Sequence, residues 1–240
     1  MQLTNKVAIV TGGNSGIGKA VATALARNGV NIVIAGRRQR ENARIAHELA
    51  GPYRVSTMPI PTDVAKEEDC ERLIKESAKR FGALHILVNS AGIIGGDRIA
   101  CSTTKDFDRV LKTNLYGTFW CARAVYKQFQ KNKPRTGEPR GMIINISSLA
   151  GKSAWAGSGV YSASKFGIMG LTQALADEGK KDNIKAVAIC PAMVATPMTG
   201  KKGLDYLQPE DIAETVLYLA RLSPAAWPTE IVIERKGASE

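Results

Sequence analysis

Histidine is scarce in this sequence, which contains two, His47 and His85, among 240 residues. His47 lies in a stretch with helical periodicity and His85 just before an apolar run, so both are interpreted as surface or structural residues. We therefore expect neither a histidine-based catalytic triad nor a metal site.

Cysteine is sparse as well, and the four residues, Cys70, Cys101, Cys121 and Cys190, are far apart in the sequence. Scattered thiols without a close pair fit reduced cysteines and argue against a disulfide framework or a zinc site. The N-terminal segment MQLTNKVAIVTGG lacks the basic region and cleavage site of a signal peptide. We expect a cytoplasmic protein.

Long apolar runs are absent, since no stretch approaches the ~20 residues that cross a bilayer, and we expect no membrane insertion. The net charge is +11, from 33 basic and 22 acidic residues, and such an excess attracts anions. The basic residues are spread along the chain without interleaved aromatics. We therefore predict no specific nucleic-acid partner.

Apolar runs of strand length alternate with helical stretches along the chain. The strand-like runs are VAIVT, NIVIAG, YRVSTMPI, HILVNS, MIINIS, IKAVAIC and EIVIE. This alternation predicts a parallel sheet with helices on both faces, and continuously apolar strands agree with burial on both sides. The predicted fold is α/β: a single doubly wound Rossmann-type domain over residues 1–240, with seven parallel strands and six main helices.

A glycine-rich turn, TGGNSGIG, follows the first predicted strand and opens a helix. In sheets of this type, ligands bind beyond the carboxyl ends of the strands. Glycine lets the backbone approach an anion, and a helix N-terminus offers free N–H groups to a pyrophosphate, so the context favours nucleotide binding over a structural turn. The predicted cofactor contacts here are Thr11, Gly12, Asn14, Ser15, Gly16, Ile17 and Gly18.

Two arginines follow the second predicted strand, where dinucleotide-binding folds often carry an acidic residue for the adenosine ribose. The sequence reads IAGRRQRE, with Gly36, Arg37 and Arg38. A guanidinium pairs with a 2′-phosphate through two hydrogen bonds, whereas a carboxylate repels it. The pattern favours NADP(H), with NAD(H) as the alternative cofactor; the structural interpretation is two exposed arginines at the start of a helix.

The later strand ends supply the other predicted cofactor contacts. Asp63, after the third strand, is placed to accept a hydrogen bond from the adenine amino group, and helix capping by Thr62 or Asp63 is the alternative. The segment LVNSAG predicts a close backbone pass along the cofactor. The remaining predicted contacts are Val64, Asn89, Ala91, Gly92, Tyr161, Lys165, Pro191, Val194 and Thr196.

A tyrosine and a lysine four positions apart, Tyr161 and Lys165, occur in VYSASKFGIM. On a helix the two side chains share a face, and an ammonium beside a phenol lowers the pKa of the phenol. The same spacing also arises by chance. Ser148, after the fifth strand, can hold a carbonyl oxygen beside the phenol, and Ser147 is the alternative for that position.

Asn114 lies within the longest helical stretch, DFDRVLKTNLYGTFWCARAVYKQFQ, close to Gly117. Both are poor helix formers, so the sequence predicts a polar kink that exposes a backbone carbonyl or holds a water. An ordinary surface polar residue is the alternative.

Taken in order, these motifs resemble the short-chain dehydrogenase/reductase family over about residues 6–222. TGGNSGIG is similar to the family's T-G-x-x-x-G-x-G turn, and NSAG to its N-N-A-G element with Ser90 at the second asparagine. PAMVATPM resembles the family's P-G segment with Ala192 in place of glycine. The family's catalytic tetrad is matched in order and spacing by Asn114, Ser148, Tyr161 and Lys165.

The resemblance implies a role for each residue of that tetrad. Tyr161 would be the general acid–base and Ser148 would orient the substrate oxygen. Lys165 would lower the pKa of Tyr161 and bind the nicotinamide ribose, and Asn114 would help to hold a water that links Lys165 to solvent. The implied activity is NAD(P)(H)-dependent interconversion of a carbonyl and a secondary alcohol, of the 3-oxoacyl-carrier-protein reductase type. The alternative is a non-catalytic NADPH-binding sensor or scaffold.

The expected partners are a small carbonyl or alcohol substrate, with an acyl thioester included, and further copies of the chain in a homodimer or homotetramer. The segment TGKKGLDYLQ, where the family usually has a substrate lid, is short and predicts an open pocket. Its candidate lining residues, which could equally be packing residues, are Trp155, Met193, Met198, Leu204 and Tyr206.

Overall fold

Seven strands form the sheet of the computed structural model, which describes residues 1–237. In chain order they are β1 (Val7–Thr11), β2 (Asn31–Gly36), β3 (Thr57–Pro61), β4 (Ile86–Asn89), β5 (Gly141–Ile146), β6 (Ile184–Pro191) and β7 (Glu230–Ile233). All neighbouring strands are parallel, in the order β3-β2-β1-β4-β5-β6-β7. The predicted α/β Rossmann-type sheet is confirmed.

Residues 1–237 contain seven α-helices, one more than the six predicted. They are α1 (Gly16–Arg27), α2 (Gln39–Tyr53), α3 (Glu67–Phe81), α4 (Thr104–Leu111), α5 (Gly117–Phe129), α6 (Gly159–Asp182) and α7 (Pro209–Arg221). The extra helix arises because a π-helical turn, Lys112–Tyr116, divides the longest helical stretch into α4 and α5. Across the described residues, none of the helices is both long enough and apolar enough to cross a membrane.

The sequence places the start of the third strand too early. YRVSTMPI predicts a strand from Tyr53, but Tyr53 is the last residue of α2 and β3 begins at Thr57. At this end of α2 the Tyr53 hydroxyl accepts a hydrogen bond from Arg27 Nε of α1 at 3.0 Å. Arg54 then takes a left-handed conformation (φ 52°), which ends the helix.

The sheet is buried between two layers of helices because successive strand residues point to opposite faces. On one face, Val10 and Ile34 pack in a cluster with α1, α2 and α7. On the other face, Ile9 and Val33 pack with α3, α5 and α6. All four side chains are fully buried, which explains why the strands are apolar without alternation.

The strand order reverses between β1 and β4, and ligands of such sheets bind at the carboxyl ends beside the reversal. His85 joins the amino ends of the same two strands. Its Nδ1 accepts a hydrogen bond from Val7 N at 3.1 Å, and its backbone N donates to Val7 O at 3.0 Å. Burial lowers the pKa of His85 to about 4, so the ring is neutral at pH 7 and acts as a structural acceptor.

Acid should weaken this junction in a defined pH window. The pKa of His85 is about 4 in the folded chain against an ordinary 6.5, so between these values the unfolded chain binds more protons. The contribution of neutral His85 to the free energy of unfolding is complete above the ordinary pKa of 6.5. It is lost as the pH falls through the pKa of the folded chain, about 4. We expect a loss of about 2 kcal/mol, after allowing for the exposed part of the ring.

Urea denaturation at several pH values checks this, with His85→Gln as the variant, because its amide oxygen can still accept the Val7 N–H. The stability advantage of wild type over His85→Gln should shrink from neutral pH toward the folded pKa. His47→Gln, at an exposed position, is the matched control and should follow wild type. Identical pH dependence of wild type and His85→Gln would contradict the assignment.

Candidate functional site

Two adjoining cavities lie over the carboxyl ends of the strands. The β1 cavity, of about 370 Å³, is lined by the turn after β1 and by residues that follow β2, β3 and β4. The β5 cavity, of about 510 Å³, lies over the ends of β5 and β6 and the start of α6. The two form one cleft, since both are lined by Ile17, Ser90, Gly92, Ile93, Thr196 and Met198.

Glycines are required in the turn after β1 because backbone passes close to backbone there. Gly12 has a φ of +67°, and a Cβ at this position would lie 3.0 Å from Ala91 Cα. A Cβ at Gly18 would lie 2.3 Å from Gly12 O. Thr11 lines neither cavity but fixes the turn, since its Oγ1 accepts hydrogen bonds from Ser90 N and Ala91 N at 3.1 Å each.

Helix α1 starts directly from this turn and points its N-terminus at the β1 cavity. Its first residue is Gly16, and the preceding Ser15 makes no side-chain capping bond. The N–H groups of the first turn are therefore open to a ligand anion, for which helix N-termini are suited. Five of the seven contacts predicted in this segment line the β1 cavity: Gly12, Asn14, Ser15, Gly16 and Ile17.

The end of β2 is closed by a chain of side-chain amides. Asn14 Nδ2 donates to Asn42 Oδ1 at 2.6 Å, and Asn42 Nδ2 donates to Gly36 O at 2.7 Å. A Cβ on Gly36 would lie 2.8 Å from Asn14 Nδ2, so a side chain at this position would displace the Asn14 amide from its hydrogen bond to Asn42. Arg37 and Arg38 are exposed and line the β1 cavity, and Arg38 Nη2 donates to Asn14 Oδ1 at 3.2 Å.

Asp63 and Val64, which follow β3, line the β1 cavity as predicted contacts should. The alternative role for Thr62 or Asp63 as a helix cap is wrong, because the residue that caps α3 is Lys66. The Asp63 carboxylate instead accepts a hydrogen bond from Ala65 N at 3.2 Å and stiffens the loop before the helix.

The segment after β4 divides between the cleft and the core. Ala91 and Gly92 line the β1 cavity, but Asn89, also predicted as a cofactor contact, lines neither cavity. Its Nδ2 donates to Asn145 Oδ1 at 2.9 Å, and Asn145 Nδ2 donates to Thr172 Oγ1 at 2.8 Å. This buried chain joins β4, β5 and α6 beneath the cleft.

Three of the four residues predicted to be catalytic meet in the β5 cavity: Ser148, Tyr161 and Lys165. Lys165 Nζ lies 5.6 Å from the centre of the Tyr161 ring and donates to Ile146 O at 2.9 Å. Ser147, the alternative to Ser148, also lines the cavity, but its hydroxyl donates to Lys165 O at 3.2 Å and holds helix α6.

The acid–base properties of this group differ from the prediction. Burial raises the pKa of Tyr161, and the Ser148 hydroxyl, rather than Lys165, is the group that lowers it. Burial also lowers the pKa of Lys165 to about 8. Both pKa values move because burial removes water from the charged form of each group. The Lys165 ammonium donates to a backbone carbonyl rather than to the phenol oxygen.

Asn114, the fourth predicted residue, is fully buried in the π-helical turn, so the surface alternative is wrong. Its Oδ1 accepts from Ile93 N at 2.8 Å, and its Nδ2 donates to Ile93 O at 3.0 Å and to Ser164 Oγ at 3.1 Å. Ser164 Oγ donates in turn to Tyr161 O at 2.6 Å. The amide lines neither cavity and connects the segment after β4 to helix α6.

The predicted contacts near β6 lie where expected. Pro191, Val194 and Thr196 line the β5 cavity, and Thr196 also reaches the β1 cavity. The Thr196 side chain would lie 3.4 Å from a Cβ at Gly16, so it sits against the glycine turn.

Of the five candidates for the substrate end, Trp155, Met193 and Met198 line the β5 cavity, whereas Leu204 and Tyr206 do not. Leu204 is 93% exposed and points to solvent. Lining residues that were not predicted include Ser90, Ile93, Ile94, Thr113, Leu149, Pro197, Thr199 and Arg235. Several follow a strand end closely, so applying the strand-end rule to every strand identifies Ser90, Leu149 and Arg235.

The chain is similar to known oxidoreductases in sequence and in structure. A family model described as short chain dehydrogenase matches residues 6–206. An uncharacterized oxidoreductase of Staphylococcus aureus is 36% identical over 219 residues, which are 90% of this chain and 91% of the relative. An uncharacterized oxidoreductase of Staphylococcus saprophyticus is 33% identical over 224 residues, 91% and 92% of the two chains.

Among solved structures, an alcohol dehydrogenase from the archaeon Thermococcus sibiricus, complexed with 5-hydroxy-NADP, superposes with a TM-score of 0.89. The two chains are 28% identical, and the match covers 98% of each.

Lys165→Met should leave the folded chain at least as stable as wild type at pH 7. Methionine removes a buried ammonium whose lowered pKa corresponds to about 3 kcal/mol, and it leaves Ile146 O without its donor, which costs about 1–3 kcal/mol. We expect the free energy of unfolding in urea to change by between zero and about +2 kcal/mol.

Lys185→Met is the matched control, because Lys185 is also buried but its Nζ donates to two carbonyls, Ser223 O and Ala226 O, at 2.8 Å each. That variant should lose about 2 kcal/mol or more. An equal loss in both variants would show that Lys165 is an ordinary structural lysine.

Proposed function

The chain belongs to the short-chain dehydrogenase/reductase family, a family of oxidoreductases that use NAD(P)(H), and we propose that it prefers NADP(H) and interconverts a carbonyl and a secondary alcohol. The observation that carries the proposal is the meeting of Ser148, Tyr161 and Lys165 in a cavity that adjoins a glycine-lined cradle. Since both cavities are built from one sheet, we propose that residues 1–240 form a single domain for cofactor binding and catalysis.

The residues of the β1 cavity fit a dinucleotide. Backbone at Gly12 and Gly18 leaves no space for a Cβ, and the open N-terminus of α1 offers N–H groups to a pyrophosphate. Asp63 and Val64 would flank the adenine, and Thr196 would lie beside the phosphates and nicotinamide. When bound, the nicotinamide supplies or accepts the hydride, while the protein supplies orientation and a proton.

Three features support a preference for NADP(H). Position 36 is a glycine and so carries no carboxylate that would repel a 2′-phosphate, and a side chain there would displace the Asn14 amide. Arg37 and Arg38 line the same end of the cavity and can pair with that phosphate. The similar archaeal alcohol dehydrogenase is complexed with an NADP derivative.

Tyr161 is suited to donate a proton in the reductive direction. The phenol is protonated at neutral pH, as a general acid must be, and the Ser148 hydroxyl offsets part of the effect of burial by lowering the pKa of Tyr161 toward the working range. The Ser148 Oγ accepts from Ala150 N at 3.1 Å, and its one O–H, directed at Tyr161 in the free chain, would turn to the substrate oxygen when substrate binds. Lys165 Nζ would lie 3.9 Å from a Cβ at Gly92, at the boundary between the cavities, where it can bind the nicotinamide ribose hydroxyls.

Asn114 would have two roles, to fix the position of neighbouring segments and to hold a water. Its amide fixes Ile93 and, through Ser164, the backbone of Tyr161. The backbone carbonyl of Asn114 accepts a hydrogen bond from Thr118 Oγ1 at 2.7 Å. Its second lone pair would bind a water that links Lys165 to solvent.

We propose a homodimer or homotetramer. Phe107, Tyr116, Phe119 and Phe166 are 40–46% exposed on α4, the π-helical turn, α5 and α6. Aromatic side chains exposed on neighbouring elements are typical of a surface that a second copy covers. The substrate is a small ketone, aldehyde or alcohol, with an acyl thioester included.

Tyr161→Phe should lower kcat by about 100- to 10,000-fold, because the phenolic proton is lost while the ring stays in place. The dissociation constant of NADPH, from fluorescence titration, should stay near the wild-type value. Activity is measured as NADPH oxidation with a panel of small ketones and aldehydes.

Tyr126→Phe is the control for this variant, since the Tyr126 hydroxyl bonds Asp182 away from the cleft. Full activity of Tyr161→Phe would show that the acid–base assignment is wrong. A wild-type chain that binds NADPH tightly and reduces no carbonyl would instead be a non-catalytic sensor or scaffold.

Arg37→Asp should shift the preference from NADPH toward NADH. Loss of a charge-assisted hydrogen bond and gain of repulsion should lower the ratio of the two kcat/KM values by about 10- to 100-fold. Arg40→Asp makes the same change of charge at an exposed position outside both cavities and should leave the ratio unchanged. A strong NADPH preference retained by Arg37→Asp would refute the arginine assignment.

A further inference from the structure

Arg235 brings to the β5 cavity a cation that the chemistry above does not use. It follows β7 by two residues, is half-buried and lines the cavity. Within residues 1–237, the charged side chains that line this cavity are Lys165 and Arg235, with no carboxylate among them. Over the same residues Arg235 forms no ion pair.

The wall around Arg235 is mainly apolar. Trp155, Met193, Met198 and Ile94 line the cavity and are about half exposed, so their apolar surface is available to a ligand. Sites of this composition bind a ligand by its apolar body and fix its orientation with a few polar groups. One cation in such a wall favours a ligand with one anionic end.

A tyrosine holds the guanidinium in place. Arg235 Cζ lies 5.7 Å from the centre of the Tyr206 ring, and Lys201 Nζ lies 5.8 Å from the same ring. The segment that carries Tyr206 is closed at its base, where Ala195 N donates to Leu207 O at 2.8 Å. A guanidinium in cation–π contact with an aromatic ring still has its N–H groups free for bidentate bonds to a carboxylate.

The sheet separates Arg235 from Ser148, the residue proposed to hold the reacting carbonyl, by the width of two strand spacings. Ser148 follows β5 and Arg235 follows β7, with β6 between them. Neighbouring strands are ~4.8 Å apart, so the two strand ends are ~10 Å apart. The glycine turn after β1 is four strands from β7, at ~19 Å, so the pyrophosphate is not the anion that Arg235 meets.

We propose that Arg235, held by Tyr206, binds the carboxylate of the substrate, and that the substrate is an oxo acid or hydroxy acid whose reacting carbon and carboxylate are separated by an apolar chain. This names the substrate class of the site and rests on the proposed function. A 2-oxo acid, whose carboxylate adjoins the carbonyl, does not span the two groups.

The test compares methyl-ketone acids of increasing chain length with their methyl esters, at saturating NADPH. The wild-type kcat/KM should be about 10- to 100-fold higher for long acids than for their esters, because only the acids form the charge-assisted bond. Arg235→Gln should lower the value for acids to that for esters, mainly through KM, and leave the esters unchanged. Arg235→Lys should restore part of the difference, and Lys236→Gln is the matched control of charge.

The outcomes separate this proposal from the proposed function. Turnover of acids and esters with equal kcat/KM, or an equal effect of Arg235→Gln on both, overturns the role of Arg235 and leaves the reductase intact. No turnover of any carbonyl with NADPH or NADH contradicts the reductase itself. Calorimetric titration with dodecanoate and dodecanol then decides on Arg235: tighter binding of dodecanoate that Arg235→Gln abolishes supports it, and equal binding overturns it.

Discussion

The burial of one ammonium group is the constraint around which the cleft is built. Lys165 is 6% exposed, and among residues 1–237 its charge is offset by one backbone carbonyl, Ile146 O, with no carboxylate. Removing an ammonium from water costs several kcal/mol, and such an arrangement persists where function requires it. The consequences are visible in the neighbours: Gly92 lacks a side chain where the segment after β4 passes the ammonium, and Tyr161 presents its ring on the same helical face.

The sheet supplies the rigidity that this placement needs. Beneath the cleft, Asn89, Asn145 and Thr172 join β4, β5 and α6 through buried hydrogen bonds. Above it, Asn114 holds the segment after β4 against α6, and the π-helical turn places that amide in the interior. Residues that touch the cleft are therefore fixed by residues that do not. Some predicted contacts, such as Thr11 and Asn89, therefore do not line the cleft but support the residues that do.

The sequence was sufficient for features set by local pattern and by topology. Apolar runs and glycine spacing located every strand and the turn after β1, and the strand-end rule brought distant residues to one edge. Features set by long-range contacts were missed. The end of α2 contacts another helix through Tyr53 and Arg27, and the partners of Asn114 come from segments far away in sequence. The pKa of Tyr161 depends on how deeply the fold buries it, which spacing to Lys165 does not encode. Arg235 belongs to no motif, and the one signal for it is its position two residues after the end of β7.

We propose that the proton of Tyr161 reaches the oxygen, and a hydride from the nicotinamide the carbon, of one substrate carbonyl at the end of β5. A crystal structure of the NADPH complex tests it most directly. The account predicts a nicotinamide between Gly92 and Thr196, with its reactive face toward the Tyr161 hydroxyl and its ribose bound to Lys165. A nicotinamide bound elsewhere in the cleft, or a Tyr161 hydroxyl directed away from it, would contradict the account.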